Sequence, residues 1–385
     1  MFIMLLGRTH RFDKNHISLR QFVKRIASIP ISCSIAVMFL VGCDSKPPEM
    51  KSLSFDEALA KVRQAIPASQ YFTNEFLEKA QNAPPASPAN PDKIKIGMPW
   101  ILNDEGAIWY VAIEKGFFKD VGIEAELVPG GPGKDPLALL VGGTIDIAIA
   151  PGGNAVPKLI ASPTGSKVVA ICTLLKDSPY GWISLDKSVP PDQKSTRQTT
   201  PTDLIGKTVG LQADGDPYAQ FIFGRHQIPQ DKVKLVQIGF STDPLVAGVV
   251  DFCSVWIQNQ PRFLEQQGHK NWSILLFKNF GWNEHNDVSV VTKSMTEKKP
   301  ELVTRYLAAM LKAVQFYLDH PDETADITIR YGKDATLDKA TVLRRFELER
   351  DLVIGHDGKP PLWMSEEVWN TSATLLTQYG VINLK

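Results

Sequence analysis

The sequence has no excess of charge of either sign. Its 385 residues include 42 Lys and Arg and 42 Asp and Glu residues, a formal net charge of zero at pH 7. Proteins that bind nucleic acid concentrate basic residues, because contacts to phosphate supply most of their affinity. This balance offers no such footprint, and we expect no nucleic acid as a partner.

Residues and motifs typical of catalysis are also scarce. The 7 histidines show no HExxH or other metal-binding spacing, and no G-x-S-x-G nucleophile motif is present. The segment Gly130–Asp135 is not a phosphate-binding loop, because Val128 replaces its first glycine and Asp135 its Ser or Thr. We therefore expect no enzymatic activity, no metal and no cofactor.

Long apolar runs are limited to one, near the N-terminus. The run Ile26–Gly42 follows Lys24 and Arg25 and is followed at once by Cys43. A basic stretch, an apolar segment and small residues before a cysteine are typical of a bacterial lipoprotein signal. We predict that residues 1–42 are removed and that Cys43 carries the lipid. The alternative is an uncleaved membrane helix, which Pro30 and the marginal length disfavour.

The lipoprotein signal implies a location and a redox environment. The mature protein would work in the periplasm or on the extracytoplasmic face, held at a membrane by a lipid anchor. Of the 4 cysteines, Cys172 and Cys253 remain within the folded part, each in an apolar, strand-like run. We expect buried thiols there, and a disulfide between them is permitted but not implied.

Residues 43–92 are predicted to form a stalk. The capping box Ser54-Phe-Asp-Glu57 opens a short helix that runs to about Ile66. A second short helix is expected over Thr73–Gln81. The proline-rich stretch Ala83–Pro91 then reads as an extended spacer.

From about Lys93 the pattern predicts an α/β fold. Strand-like and helix-like segments alternate in two series, which indicates two α/β lobes with a hinge and a cleft. We place lobe 1 at residues 93–181 and 293–385 and lobe 2 at residues 182–292. The hinge is expected near Gly181–Leu185 and Asp287–Thr292, and the last ninety or so residues are predicted to be helical. The predicted strands are Ile94–Met98, Glu124–Val128, Ile145–Ala150, Lys167–Leu174, Trp182–Leu185, Thr208–Gln212, Lys232–Ile238, Asp251–Trp256 and Val288–Thr292. The predicted helices are at about Ala107–Lys115, Pro136–Val141, Asn154–Ala161, Pro217–Arg225, Pro244–Val249, Pro261–Gln267, Pro300–Leu318, Asp322–Arg330, Leu337–Arg350 and Ser365–Tyr379.

Four segments of this body resemble a known family. Trp109–Lys119, Gly122–Glu126, Gly142–Ile149 and Asp203–Gly210 are similar to the periplasmic solute-binding proteins for sulfonates, taurine, nitrate and thiamine-pyrimidine precursors. The resemblance implies a type-2 periplasmic-binding-protein fold that closes on its ligand by hinge motion. It also implies a monomer that delivers a small molecule to an ABC permease in the membrane.

The segment after the first predicted strand is most similar to the thiamine-precursor binders. Trp100 would stack on a planar heterocycle, and Asn103, Asp104 or Glu105 would bond its ring nitrogens and amino groups. This position at the carboxyl end of a strand favours a ligand site. The alternative is that Trp100 belongs to the core and the acidic pair caps the next helix.

Two further turns are predicted to face the cleft. Gly152, Gly153 and Asn154 follow the third predicted strand, where exposed N–H groups would hold an anion or a carbonyl oxygen. A plain turn with Asn154 as the helix cap remains an equal alternative. Asp214 and Tyr218 come from the equivalent turn of the second lobe.

The last candidates lie in two segments of the second lobe. Trp256 and Asn259 match an aromatic-Asn-Glu pattern of the thiamine-precursor binders loosely, but Gln260 stands in place of the acid. An amide pairs with a neutral ring and cannot pair with the charge of a protonated one. The segment Gly281–Asp287 would line the hinge side of the cleft, although an exposed loop is the favoured interpretation.

These observations predict the solute-binding lipoprotein of an ABC importer. The expected ligand is a small nitrogen heterocycle related to thiamine or pyrimidine precursors. Two alternatives remain: a binder of aliphatic sulfonate, taurine or nitrate, and a pyrimidine-synthesis enzyme of the same fold.

Overall fold

The structure is a computed structural model that describes residues 53–66, 73–83, 89–213, 215–333 and 337–384. The predicted signal segment, Cys43 and Asp214 lie outside these residues. Within them, no helix is both long and apolar enough to cross a membrane.

Helices and strands alternate along most of the described chain. The strands are β1 (Asp92–Gly97), β2 (Ile123–Val128), β3 (Ile147–Ile149), β4 (Val168–Leu175), β5 (Tyr180–Leu185), β6 (Thr208–Leu211), β7 (Lys234–Gln237), β8 (Phe252–Trp256), β9 (Trp272–Leu276) and β10 (Asn286–Thr292). The α-helices are α1 (Phe55–Ala65), α2 (Glu75–Gln81), α3 (Ala107–Glu114), α4 (Phe117–Asp120), α5 (Pro136–Val141), α6 (Ala155–Ile160), α7 (Asp216–Arg225), α8 (Asp243–Val246), α9 (Gln260–Gln266), α10 (Lys293–Lys298), α11 (Pro300–Asp319), α12 (Pro321–Tyr331), α13 (Lys339–Ile354) and α14 (Glu366–Gln378). Short 3-10 helices occur at Asp104–Gly106, Gly165–Lys167, Pro201–Leu204, Gln230–Lys232 and Phe277–Phe280.

The strands form two sheets with equivalent topology. The first has the order β2-β1-β3-β10-β4, and the second has the order β7-β6-β8-β5-β9. In each sheet, three neighbouring strands run parallel, and the fourth in the order is antiparallel to both of its neighbours. Every residue of β4 is buried, which explains why its sequence is apolar apart from Thr173. Two α/β lobes are thus confirmed as the fold class.

The chain crosses between the sheets twice. It leaves the first sheet after β4 and returns to it with β10, so the crossings are residues 176–179 and 277–285. The predicted lobe boundaries place residues 180–181 in lobe 1 and 286–292 in lobe 2, but the structure places β5 in the second sheet and β10 in the first. The physical reason is that each strand after a crossing pairs within the sheet that it enters. Strand β5 lies between β8 and β9, and β10 lies between β3 and β4.

The N-terminal helices pack on the body instead of forming a stalk. The capping box at Ser54 is formed as predicted, with the Ser54 N–H donating to Glu57 Oε2 at 2.8 Å and the Glu57 N–H donating to Ser54 Oγ at 3.3 Å. Val62 and Ile66 are buried in a cluster that contains residues of α14. The apolar face of α1 therefore has a partner, because an exposed apolar stripe on a tether would be costly.

Helix α2 docks in the same way. Phe76, Leu77 and Ala80 are buried in the cluster that contains α11. Asn74 adds a two-point link, donating to the Met364 carbonyl at 2.7 Å and accepting from the Met364 N–H at 3.2 Å. The folded body thus includes both N-terminal helices.

Three elements were not foreseen. Strand β9 has 5 residues with alternating burial, and helices α4 and α10 have only 4 and 6 residues. Elements this short give weak periodic signals in the sequence. The other predicted strands and helices in the described residues are found within a few residues of their predicted ends.

The two internal cysteines are free and buried. Cys172 lies in β4 of the first sheet and Cys253 in β8 of the second. Burial raises the pKa of each thiol to about 12. The two residues therefore do not pair with each other, and neither is a ready thiolate nucleophile.

The packing of α2 predicts a measurable contribution to stability. Replacing the fully buried Leu77 by Ala should lower the free energy of unfolding by about 2–4 kcal/mol, because it leaves a cavity against α11. Urea unfolding of the full chain measures this change. Glu78→Ala, on the exposed side of the same helix, is the matched control and should change stability by less than about 0.5 kcal/mol. Equal effects of the two variants would contradict docking of α2.

Candidate functional site

Aromatic residues of the two lobes meet at the carboxyl ends of the strands. Trp100 follows β1 in the first lobe, and Phe240 follows β7 in the second. Their ring centroids lie 6.0 Å apart with planes tilted by 55°. Phe240 is 66% exposed, which is unusual for a large apolar side chain and was not anticipated from the sequence.

A second aromatic contact lies at the end of β8. The half-buried Trp256 has its ring centroid 6.0 Å from that of Tyr180. Its Cη2 atom would lie 3.8 Å from a Cβ atom added to Gly152. Gly152 has φ +146°, a conformation that residues with a Cβ rarely adopt. The predicted residues Trp256 and Gly152, from different lobes, are therefore brought together.

Gln260 holds these aromatic residues in place. Its Oε1 accepts from the Trp256 N–H at 2.9 Å, and its Nε2 donates to the Phe240 carbonyl at 3.4 Å. An amide supplies one acceptor and one donor group, and both are used here. The residue that replaces the acid of the thiamine-precursor binders thus connects the chain at Trp256 with the chain at Phe240.

Asn154, Tyr218 and Glu284 form a hydrogen-bonded chain across the lobes. The Tyr218 hydroxyl donates to Glu284 Oε2 at 2.9 Å, and Asn154 Nδ2 donates to that hydroxyl at 3.5 Å. Asn154 makes no side-chain bond that caps α6, so the plain capping alternative does not describe its side chain. A Cβ atom at Gly153 would lie 2.4 Å from Glu284 Cβ, so glycine permits this close approach.

Most of the segment Gly281–Asp287 is buried, contrary to the predicted exposed loop, although Gly281 is exposed and Asn283 half-buried. Trp282 is fully buried, and Glu284, His285 and Asp287 are 1–3% exposed. This segment forms the end of the second crossing and the start of β10, which lies inside the first sheet. Its density of aromatic and polar residues directly before a strand was the available signal.

Burial changes the acid–base properties of this segment. The pKa of Glu284 is raised to about 7 by burial, although hydrogen bonds from Trp282 and Tyr218 act in the opposite direction. The pKa of His285 is lowered to about 4, again chiefly by burial. His285 is therefore neutral, with Nδ1 donating to the Lys176 carbonyl at 2.9 Å and Nε2 accepting from the Ser365 N–H at 2.8 Å.

Two predicted ligand-binding residues are instead bound by arginines. Asp104 is 1% exposed, accepts a hydrogen bond from Arg262 Nη1 and has Oδ1 3.8 Å from Arg345 Nη1. Arg345 Nη1 also donates to Asn259 Oδ1. Asp104 and Asn259 therefore serve interlobe contacts, because a carboxylate buried this deeply needs a positive partner.

Asn103 and Glu105 differ in their roles. Asn103 Oδ1 accepts from the Glu105 N–H at 3.1 Å and caps the 3-10 turn Asp104–Gly106. Capping thus falls to Asn103 and not to the acidic pair of the sequence-based alternative. Glu105 is half-buried beside the arginines.

The ionic cluster is defined here as Asp104, Glu105, Arg262, Asp287, Arg345 and Glu349. Glu349 Oε2 lies 3.1 Å from Arg345 Nε, and Glu349 Oε1 accepts from the Tyr317 hydroxyl at 2.9 Å. Arg345 and Glu349 lie among the buried residues of α13, with Val342 and Phe346. Charged residues on the apolar face of a helix were the signal that could have identified them.

Helix α9 of the second lobe is also tied to α13, which packs against β4 of the first sheet. Arg344 forms a two-bond ion pair with Glu265, at 2.8 and 2.9 Å. Gln266 Nε2 donates to Asp338 Oδ2 at 3.3 Å and to the Thr341 hydroxyl. In this structure the two lobes are therefore in direct polar contact.

Two surface grooves lie away from these residues. One, of about 440 Å³, is lined by α1 and α14, and the other, of about 460 Å³, reaches α7 and Gly281. They share Phe55 and Thr371, and none of the predicted ligand-binding residues lines either one.

Comparison with known proteins gives consistent matches over most of the body. Residues 103–324 match a protein-family model described as NMT1/THI5 like. The formylaminopyrimidine-binding protein of Halalkalibacterium halodurans is 22% identical over 268 residues, covering 68% of this chain and 77% of its own. The riboflavin-binding protein RibY of Chloroflexus aurantiacus is 25% identical over 309 residues, covering 78% and 80%.

A solved structure shows the same fold. The periplasmic aliphatic sulphonate binding protein SsuA from Escherichia coli superposes with a TM-score of 0.56 at 13% identity, over 76% of this chain and 89% of its own. At this identity the likeness concerns the fold, which is that of the periplasmic binding proteins.

The buried Glu284 predicts a pH-dependent stability. Its pKa rises from 4.5 to about 7 on folding, so its contribution is fully present below pH 4.5 and lost as the pH rises through 7. The loss should approach about 3 kcal/mol, at 1.36 kcal/mol per pKa unit. Glu284→Gln should remove this part of the pH dependence, measured as the free energy of unfolding in urea at pH 4, 6 and 8.

The control for this change is Glu126→Gln, an exposed carboxylate of β2. It should leave the pH dependence of unfolding as in the unchanged protein. If the free energy of unfolding of Glu284→Gln depends on pH as it does in the unchanged protein and in Glu126→Gln, the fold does not raise the pKa of Glu284.

Proposed function

Because this chain belongs to the NMT1/THI5-like family, we propose that it is the solute-binding protein of an ABC importer. It captures a small nitrogen heterocycle related to thiamine or pyrimidine precursors between its lobes and delivers it to a permease. The protein binds its solute without transforming it.

The observation that carries this proposal is the pairing of aromatic rings across the lobes. Trp100 of the first lobe faces Phe240 of the second, and Trp256 of the second lobe approaches Gly152 of the first. Aromatic faces stack on planar rings, and a cleft that supplies them from both sides suits a flat heterocycle. Asn154 and Tyr218 supply polar groups beside them.

The named relatives support the same ligand class. One is named for binding formylaminopyrimidine and the other for binding riboflavin, and both ligands contain planar nitrogen heterocycles. The Gly152–Asn154 turn would contact the solute on the first lobe and Tyr218 on the second, and Asp214 stays a candidate from the sequence alone.

An oxyanion is the second candidate, since the SsuA structure with this fold is named for sulphonate binding. The charges of the ionic cluster oppose it. The cluster contains four carboxyl groups and two guanidinium groups, and each arginine lies beside a carboxylate. A sulfonate or nitrate placed there would meet more negative than positive groups.

We also propose that the protein is held at the extracytoplasmic face of a membrane by lipid on Cys43. Helix α1 begins at Phe55, so the chain leading from Cys43 enters the folded body within about a dozen residues. A short connection of this kind would keep the cleft close to a permease.

Binding to the full chain, purified in detergent, tests the proposal. Thermal shift against pyrimidines, thiamine, riboflavin, taurine, an alkanesulfonate and nitrate should show stabilisation by a heterocycle. Trp100→Ala should weaken that binding by about tenfold, the loss of one stacking contact worth about 1.4 kcal/mol. Phe55→Ala, an exposed aromatic on α1, should leave affinity unchanged. Stabilisation by the oxyanions alone would select the second candidate, and turnover of a bound heterocycle would indicate an enzyme.

Labelling tests the lipid anchor. The full chain produced in a bacterial host with radioactive palmitate should carry label, and Cys43→Ser should lose it, because the thiol is the acylated group. Cys33→Ser, a cysteine within the predicted signal, is the matched control and should keep the label. Label retained in Cys43→Ser would contradict the anchor.

A further inference from the structure

Two acidic side chains of the ionic cluster are without partners. Asp104 and Glu349 each contact a guanidinium, but within the described ranges no hydrogen bond or ion pair reaches the carboxyl groups of Glu105 and Asp287. Only 3% of Asp287 is exposed. Buried polar groups in native structures normally have one.

The ionic cluster also contains more acidic than basic groups. Asp104, Glu105, Asp287 and Glu349 are four acids, whereas Arg262 and Arg345 are two bases. With every group ionised, the cluster would carry two uncompensated negative charges in a buried place, which is costly. Either protons or a cation must therefore balance these charges.

Burial disfavours the ionised forms of Glu105 and Asp287. Burial raises the pKa of Glu105, and the charges of Asp104 and Glu349 raise it further, whereas Arg345 and Arg262 lower it. Burial and the charges of Glu105 and Glu349 raise the pKa of Asp287 well above its usual range, against the effect of Arg345. A cation that enters between these carboxyl groups would displace their protons.

Glu105 and Asp287 both lie near the chain segments that carry the aromatic contacts. Glu105 lies in the same loop as Trp100, five residues along the chain. Asp287 lies at the start of β10, directly after the buried segment that holds Glu284. Ser289 of β10 pairs with Ile149 at the end of β3, so Asp287 lies at the same edge of the first sheet as the loop after β1 that carries Trp100 and Glu105.

We propose that Glu105 and Asp287 form a subsite for a cationic nitrogen group of the solute, such as an amidinium or the protonated edge of an aminopyrimidine. This inference rests on the proposed function and names the chemical feature that the cleft selects. A planar amidinium presents N–H donors in the geometry that carboxylates accept, and charge assistance strengthens these bonds. In the described residues no set of three or more His, Cys, Asp or Glu side chains is placed to hold a metal ion.

The test compares benzamidine, a planar cation, with benzamide, its neutral isostere, by calorimetric titration of the full chain. The unchanged protein should bind benzamidine at least about tenfold more tightly than benzamide at pH 8. Benzamidine should release protons on binding, seen as a heat that depends on the buffer, and its affinity should rise from pH 6 to pH 8.

Single variants assign these effects to the two acids. Asp287→Asn and Glu105→Gln should each reduce the preference for benzamidine about tenfold and reduce proton release, with benzamide affinity unchanged. Asn tolerates the left-handed conformation of residue 287, where φ is +52°. Glu126→Gln is the control and should behave as the unchanged protein. If Asp287→Asn does not fold, the benzamidine affinity of Glu105→Gln at pH 6 and pH 8 tests the subsite by itself.

The outcomes separate this inference from the proposed function. Equal affinity for the two probes, or binding of a panel heterocycle without binding of benzamidine, would overturn the cationic subsite and leave the solute-binding function intact. Stabilisation by calcium chloride in place of benzamidine would also overturn it. Failure of every heterocycle in the panel would overturn the proposed function itself.

Discussion

The contact between the lobes depends on two buried arginines. Arg262 of the second lobe and Arg345 of α13 both approach the Asp104 carboxylate, which lies in the loop after β1. Removing one member of a buried ion pair leaves an uncompensated charge and lowers stability by about 3–5 kcal/mol. Each of these three side chains is therefore needed to balance the charge of the others. Because Trp100 belongs to the same loop, these ionic contacts also set the position of the aromatic side of the cleft.

Several of the buried polar groups lie where the lobes meet. The centre of the first sheet is apolar, as the fully buried strands β3 and β4 show, whereas Tyr218, Glu284 and Asn154 are bonded to one another across the lobes. Apolar cores make each lobe a rigid unit, and a polar interface can exchange its partners when the lobes separate. This division of chemistry suits a protein that closes on a solute.

Most local structure could be predicted from local patterns. Helix α5 has the bounds that were expected, Pro136–Val141, since Asp135 caps it and proline occupies its first position. The capping box at Ser54 located α1 in the same way. What the helix would pack against was not predictable, because an apolar stripe indicates only that a partner exists. The expected stalk is part of the body for that reason.

For the candidate site, the sequence determined which residue types lie at the ends of the strands, and the tertiary structure decided what each one contacts. Asp104 and Glu105 are neighbours in the chain. The first pairs with Arg262, 158 residues away, whereas no hydrogen bond or ion pair from the described residues reaches the carboxyl group of the second. Gln260 proved to hold two backbone segments, and Glu284, expected in an exposed loop, is buried. Periodicity and capping act over a few residues and can be predicted from the sequence, whereas the partner of a buried charge depends on how distant elements pack.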